Sequence, residues 1–180
     1  MYADVLECGL SLINPSVHPG ACLVNLSNIE KPDTNFFLYE HGFTPSGIRI
    51  DLLLNEERKR VGAAYGYQIR SLENFAGVSD ELTVEALYAM GHGCHALTSI
   101  EGPNSITDRY LTEDVPFNLV CWASLGKLVG VATPVTDAVI TLIGVVHGKD
   151  WFAQGRTAQA LGLTGRSADA VIRYARTGAF

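Results

Sequence analysis

Charged side chains are scarce in this 180-residue sequence: they make up 18% of it, against 47% hydrophobic residues. A chain that apolar has enough burial to fold, so disorder is excluded. Basic residues are scarcer still, 13 against 19 acidic, for a net charge of −6. They form no cluster, which argues against a nucleic-acid backbone or an anionic membrane as partner. No two of Cys8, Cys22, Cys94 and Cys121 have CxxC spacing. Buried free thiols in a reducing cytoplasm are the expectation. The opening MYADVLECGL has no basic segment ahead of its apolar run, so it does not read as a signal peptide. No GxGxxG follows a strand and no GxxxxGK[ST] occurs, so the chain carries no visible dinucleotide or nucleotide cradle. One long apolar run, LVGVATPVTDAVITLIGVVHG, is nearly long enough to span a bilayer. Asp137 in its middle and the Thr133-Pro134 break predict two buried helices instead.

What the sequence does have is helix punctuation. Thr44-Pro45 is an N-cap followed by N1, because the hydroxyl accepts a backbone N–H and proline lacks the one that would go unpaired. The helix that follows places Ile48, Leu52 and Val61 on one face, with Glu56 and Arg60 paired at i, i+4. LTVEALYAM reads as a helix closed by Gly91. Another opens at Thr112, with Glu113, Asp114 and Pro116 in its first turn, and runs through FNLVCWASLGKLVG. Thr133-Pro134 starts a very apolar helix ending near His147-Gly148. Thr157 opens a short one, AQALG, and Ser167 caps ADAVIRYAR, closed by Gly178. ADVLECGLSLI reads as an opening helix that Asn14-Pro15 ends. The best strand candidate is NFFLYEHG, and the loosest connection is SIEGPNSITDR. Helical segments dominate, so the fold class is all-α.

Two places carry candidate chemistry. In NPSVHPG, His18 is flanked by Pro15 and Pro19, which predicts a stiffened turn with His18 held extended. An imidazole presented that way suits general acid–base work. In TDRYLTEDVPF, Arg109 in a loop suits bidentate capture of a substrate carboxylate. Asp114, in a first helical turn, suits the carboxylate behind a catalytic histidine. Each also has an ordinary structural reading: a turn histidine bonded to backbone, and a capping acid with a surface ion pair. HGCH at 92–95 is spaced too tightly for a zinc site and has no second half, so no metal is expected. His41 and His147 follow element ends and read as structural.

Taken together, NPSVHPG, GPNSITDRYLTEDVPF, WASLGKLVGVATPVTDAVI and GKDWFAQGRTAQALGL resemble the C-terminal helical domain of the opine (octopine/nopaline) dehydrogenase family. The likeness runs from about residue 3 to about residue 165. The Thr-Pro helix start is less specific, because it is similar to the helical domains of ketopantoate reductase and 6-phosphogluconate dehydrogenase. The resemblance implies that residues 1–180 are one helical substrate and catalytic domain. It implies a reductive condensation of an amino acid with a 2-oxo acid such as pyruvate. It also implies NAD(P)H as cofactor, bound mainly by an N-terminal Rossmann domain absent from this sequence. On the family pattern the catalytic histidine falls on His18 and its aspartate on Asp114. The carboxylate-binding arginine falls on Arg109, and an asparagine near nicotinamide and substrate on Asn14. The chain alone is then expected to be inactive, and to self-associate through the face the missing domain leaves bare. Two other readings stand beside this one. The first is a non-catalytic helical module for dimerisation or small-acid binding. The second is a ketopantoate-reductase-like relative with Lys127 or Lys149 as proton donor.

Overall fold

The computed structural model describes residues 1–31, 35–78 and 82–179, and among them every regular element is helical. In chain order these are α1 (Val5–Leu10), α2 (Asn14–Val17), α3 (Pro19–Leu23) and α4 (Leu26–Ile29), a π-helical turn (Leu38–Gly42), and then α5 (Pro45–Ala64). Next come α6 (Leu72–Ala76), α7 (Val84–His92), α8 (His95–Thr98), α9 (Arg109–Thr112) and a second π-helical turn (Val115–Leu119). The chain ends with α10 (Val120–Leu128), α11 (Pro134–His147), α12 (Trp151–Gln154) and α13 (Ala168–Thr177). No helix among the described residues is long and apolar enough to cross a membrane.

The long α5 is the axis. Thr44 Oγ1 accepts the Gly47 N–H as its N-cap, and α1, α2, α3, α7, α10 and α11 all pack against it. Its interior turns bury polar groups as well as Ile48, Leu54 and Val61: Asp51, Asn55, Glu57 and Arg58 are all at most 2% exposed. Arg58 holds neighbouring chain in place. Its guanidinium donates to the Leu10 carbonyl at 2.6 Å, the Arg70 carbonyl at 2.8 Å and Asn55 Oδ1 at 2.7 Å. Burial lowers its pKa to about 10. Apolar side chains divide into two clusters on either side of α5. The larger lies among α3, α10, α11 and α13; the smaller joins Val17, Tyr39, Phe43, Ile48, Leu72, Leu82 and Leu87. Gly91 lets α7 approach that second cluster, because a Cβ there would stand 2.6 Å from the Phe43 ring.

Several helix ends differ from expectation. Asn14-Pro15 does not end the first helix; α1 stops at Leu10 and Pro15 stands in the first turn of α2. His18 is not extended: its φ/ψ of −89°/−56° is right-handed helical despite the following proline. The bias against that region is outweighed by bonds on both sides. The His18 N–H donates to the Asn14 carbonyl, and the His18 carbonyl accepts from the Cys22 N–H. The helix expected from Thr112 begins earlier, at Arg109, because Asp108 Oδ1 takes the Tyr110 N–H. Helix α7 continues past Gly91 to His92. The Thr157 segment makes turns rather than a helix. Glu56 pairs with Lys59, not Arg60. NFFLYEHG gives one parallel bridge from Phe37 to Gly102 and then the first π-helical turn. Of the four free thiols only Cys22 is fully buried, and Cys8 is exposed.

Candidate active site

His18 sits at the joint of α2 and α3, with 2% of its surface exposed. Asp114 sits at the joint of α9 and the second π-helical turn, 5% exposed. Ninety-six residues separate them along the chain, yet His18 Nδ1 lies 2.8 Å from Asp114 Oδ2. A carboxylate can only accept, so Nδ1 carries the hydrogen. In the neutral ring Nε2 is then an acceptor, and the Tyr39 hydroxyl stands 3.0 Å from it. The Tyr110 ring stacks on the imidazole, centroids 3.9 Å apart and planes 14° from parallel. The ring is therefore held at both nitrogens and on one face.

Burial dominates the electrostatics around this pair. It pushes the Tyr39 phenol well above its ordinary value, so Tyr39 is a neutral donor. It raises Tyr110 and Cys22 in the same direction, with nearby aspartates adding to the effect on both. Asp51, on α5, has both carboxyl oxygens buried without a hydrogen-bond partner. Burial raises its pKa well above the carboxylate range, and the nearby Ala21 backbone offsets this only in part.

The other expected residues lie nearby. Arg109 is exposed, and it opens α9 rather than lying in a loop; its guanidinium carbon stands 5.2 Å from the centre of the Tyr110 ring. Tyr110 thus contacts both the buried His18 ring and the exposed Arg109 guanidinium. Asn14, one helical turn before His18, is exposed at the mouth of a cleft of about 280 Å³. Tyr39 and Val17 form part of the cleft wall, and Arg70 stands at its edge. Arg109 does not line this cleft.

Sequence reasoning missed Tyr39 and Tyr110. Tyr110 lies inside the RYLTEDVP block beside Arg109, and that adjacency was its only signal. Tyr39 lay in a segment read as a strand candidate. The histidines read as structural have structural partners. His147 Nε2 donates to the Ile106 carbonyl at 2.7 Å, and its Nδ1 accepts from the Trp151 indole at 3.1 Å. His41 Nδ1 accepts from the Phe37 N–H. In HGCH, His92 stacks on Tyr88 and bonds its carbonyl. Among the described residues no three of His, Cys, Asp and Glu come together as a metal-ligand set. Lys149 lies over Trp151 and Lys127 lines a separate groove, so neither reaches the cleft beside Tyr39.

An all-helical domain built round one long axial helix, with a buried histidine–aspartate pair at its side, is the class this fold and site define. The chain belongs to the octopine/nopaline dehydrogenase family: residues 1–147 match the family model described as NAD/NADP octopine/nopaline dehydrogenase, alpha-helical domain. It is 33% identical over 165 residues to an opine dehydrogenase of Arthrobacter sp. (strain 1C), covering 92% of this chain and 46% of that protein. It is 27% identical over 181 residues to the protein ocs of Agrobacterium vitis, covering 96% of this chain and 48% of the relative. It is 29% identical over 169 residues to a vitopine synthase of Allorhizobium ampelinum, covering 91% and 46%. An octopine dehydrogenase structure solved with NADH and L-arginine has the same fold, with a TM-score of 0.61 at 17% identity. That match covers 92% of this chain and 48% of the other. The chain spans about half the length of the curated relatives it matches.

Proposed function

We propose that this chain is the substrate-binding and catalytic half of an NAD(P)H-dependent opine dehydrogenase, joining an amino acid to a 2-oxo acid such as pyruvate. The observation that carries the reading is the buried 2.8 Å contact between His18 and Asp114. Two segments far apart in sequence bring an orienting carboxylate to an imidazole, which is what proton transfer near neutral pH requires.

The amine attacks the ketone carbon of the oxo acid, and loss of water leaves an imine. Starting from the neutral amine, these steps take two protons from nitrogen and deliver two to the oxygen that departs as water. His18 holds and moves those protons at Nε2, and Asp114 fixes the ring and stabilises its charged form. Arg109 holds the oxo acid's carboxylate through two parallel hydrogen bonds, which lines up the reacting carbon. Asn14, at the cleft mouth, orients the substrate. The nicotinamide, when bound, supplies the hydride taken up by the imine carbon, and His18 relays the proton that the nitrogen needs to become a secondary amine. Among the described residues there is no strand followed by a glycine-rich turn and helix, the usual pyrophosphate cradle. We therefore assign cofactor binding mainly to a Rossmann domain, in cis or in trans, and treat residues 1–180 as a single helical domain beside it.

The test is turnover of pyruvate and amino acids with NADH or NADPH, for the chain alone and for the chain joined to the cofactor-binding half its relatives carry. The expected result is negligible activity alone, activity when joined, and loss of that activity in His18→Gln. Steady turnover by the isolated chain, or full activity of joined His18→Gln, overturns the reading. In the second case a non-catalytic small-acid-binding or dimerisation module replaces it.

A further inference from the structure

We infer that the cleft beside Tyr39 is an amino-acid side-chain subsite, and that it selects an uncharged, apolar side chain. This rests on the opine-forming reading above and adds the class of amino acid to it. Three observations support it.

The cleft adjoins the candidate proton-moving group. Tyr39, whose hydroxyl meets His18 Nε2, forms part of its wall, and Asn14 lies at its mouth. A substrate amine presented to His18 therefore directs its own side chain into this space. The volume, about 280 Å³, admits one side chain and part of a backbone rather than a dinucleotide.

The buried part of the wall is mainly apolar, with the Ser11 hydroxyl already accepting the Arg70 N–H. Val17, Phe43, Leu72 and Leu87 line it and are at most 7% exposed, with Met90 and Leu97 nearer the opening. These residues belong to the smaller of the two apolar clusters, which is thus hollowed on one side while the larger carries the fold. An apolar side chain entering there loses water contact without leaving a polar group unpaired.

Among the described residues, the charge in the wall has one sign. Arg70 is the charged residue lining the cleft, and no carboxylate lines it among the described residues. A guanidinium or ammonium side chain would enter beside a cation with no counter-charge, which burial penalises heavily. Arg70 is exposed, its guanidinium carbon 6.0 Å from the Phe75 ring, so its charge lies at the edge and not at the bottom. There it meets the α-carboxylate that every amino acid carries, and an acidic side chain reaching inward would leave its charge among the apolar residues.

The test is a methyl NMR titration of the full chain labelled at Met and Leu. The probes are the N-(1-carboxyethyl) derivatives of leucine, arginine and glutamate. The leucine derivative is expected to shift the Met90, Leu87 and Leu97 methyls and to bind at least about tenfold tighter than the other two. Met90→Glu puts a carboxylate in the wall and is expected to erase the leucine-over-arginine preference. Should that variant fail to fold, Leu97→Asp carries the same test. Equal or tighter binding of the arginine or glutamate derivative, or absence of any shift at these methyls, overturns the inference. None of these outcomes bears on whether His18→Gln abolishes turnover, so the two readings fail separately.

Discussion

At the scale of single residues, the imidazole is held at three points, and each hold has a different consequence when removed. Asp114→Asn keeps the shape but offers an amide where a carboxylate accepted, which favours the wrong tautomer. In the joined enzyme kcat is expected to fall by roughly 10²–10⁴-fold with little change in Tm. Asp114→Ala leaves the buried Nδ1–H without an acceptor and is expected to destabilise the fold as well, by about 1–3 kcal/mol in urea denaturation. Tyr39 is the more informative position. His18 is only 2% exposed, and the Tyr39 hydroxyl stands on Nε2. A proton leaving that nitrogen passes through the hydroxyl unless the ring moves. Tyr39→Phe is therefore expected to lower kcat by about 10–100-fold with KM nearly constant, and to reduce the solvent deuterium isotope effect. An unchanged kcat would show that the imidazole meets the substrate directly. His18 and Asp114 were picked out as candidates by local punctuation together with the family pattern, and packing brings them into contact. Tyr39 and Tyr110 were not, because stacking and ring-to-hydroxyl contacts depend on how distant helices pack.

At the scale of elements, the caps at Thr44, Thr133 and Ser167 were read in the right places, those at Thr112 and Thr157 were not, and a right place did not always mean the right acceptor. Ser167 caps α13 through the Ala170 N–H, and Gly178 closes it in the left-handed region at φ 73°, both as the sequence suggested. Thr133-Pro134 does begin α11, yet Thr133 makes no cap bond of its own. Its hydroxyl meets Asp137 Oδ1 instead. The cap comes from Glu57, 78 residues earlier in the chain. Glu57 Oε1 accepts the Val135 N–H at 2.9 Å, and Oε2 accepts the Thr136 N–H at 2.8 Å and the Thr136 hydroxyl at 2.7 Å. Propensity rules cannot see an acceptor that arrives from another helix. Glu57→Ala strips three buried donors of their partner, so it is expected to cost about 2–4 kcal/mol, more than an ordinary N-cap deletion. Hydrogen exchange should quicken first at Val135 and Thr136. Glu57→Gln keeps one carbonyl acceptor and is expected to recover part of the loss.

At the scale of the whole molecule, the all-helical class was legible because helix starts and stops are local events, written in Thr-Pro, Ser and Gly signals. The division of the core into two clusters on either side of α5 was not, since it depends on which distant helices pack against each face of α5. Two carboxyl groups, one on α5 and one bonded to it, give the fold opposed pH dependences. Glu73, bonded to Lys59 and Asn55, has its pKa lowered from 4.5 to about 2, against a desolvation effect that acts the other way. Its stabilisation is present above pH 4.5 and is lost as pH falls toward 2. Asp51 acts with the opposite sign. Burial raises its pKa, so the native state holds that proton more tightly than the unfolded chain, which ionises it above pH 3.8. The unfolded state then binds fewer protons, so stability falls as pH rises through that window. Asp51→Asn removes the titration and keeps the shape. Relative to the native chain its stability is expected to rise with pH, from near parity around pH 4 by on the order of 1 kcal/mol per pH unit at first. Urea midpoints of both proteins at pH 4, 5, 6 and 7, all above the ordinary carboxyl value of 3.8, measure that difference directly. A constant gap across the series would mean that Asp51 is ionised in the native fold, with a partner for its charge that the packing of α3 on α5 does not reveal.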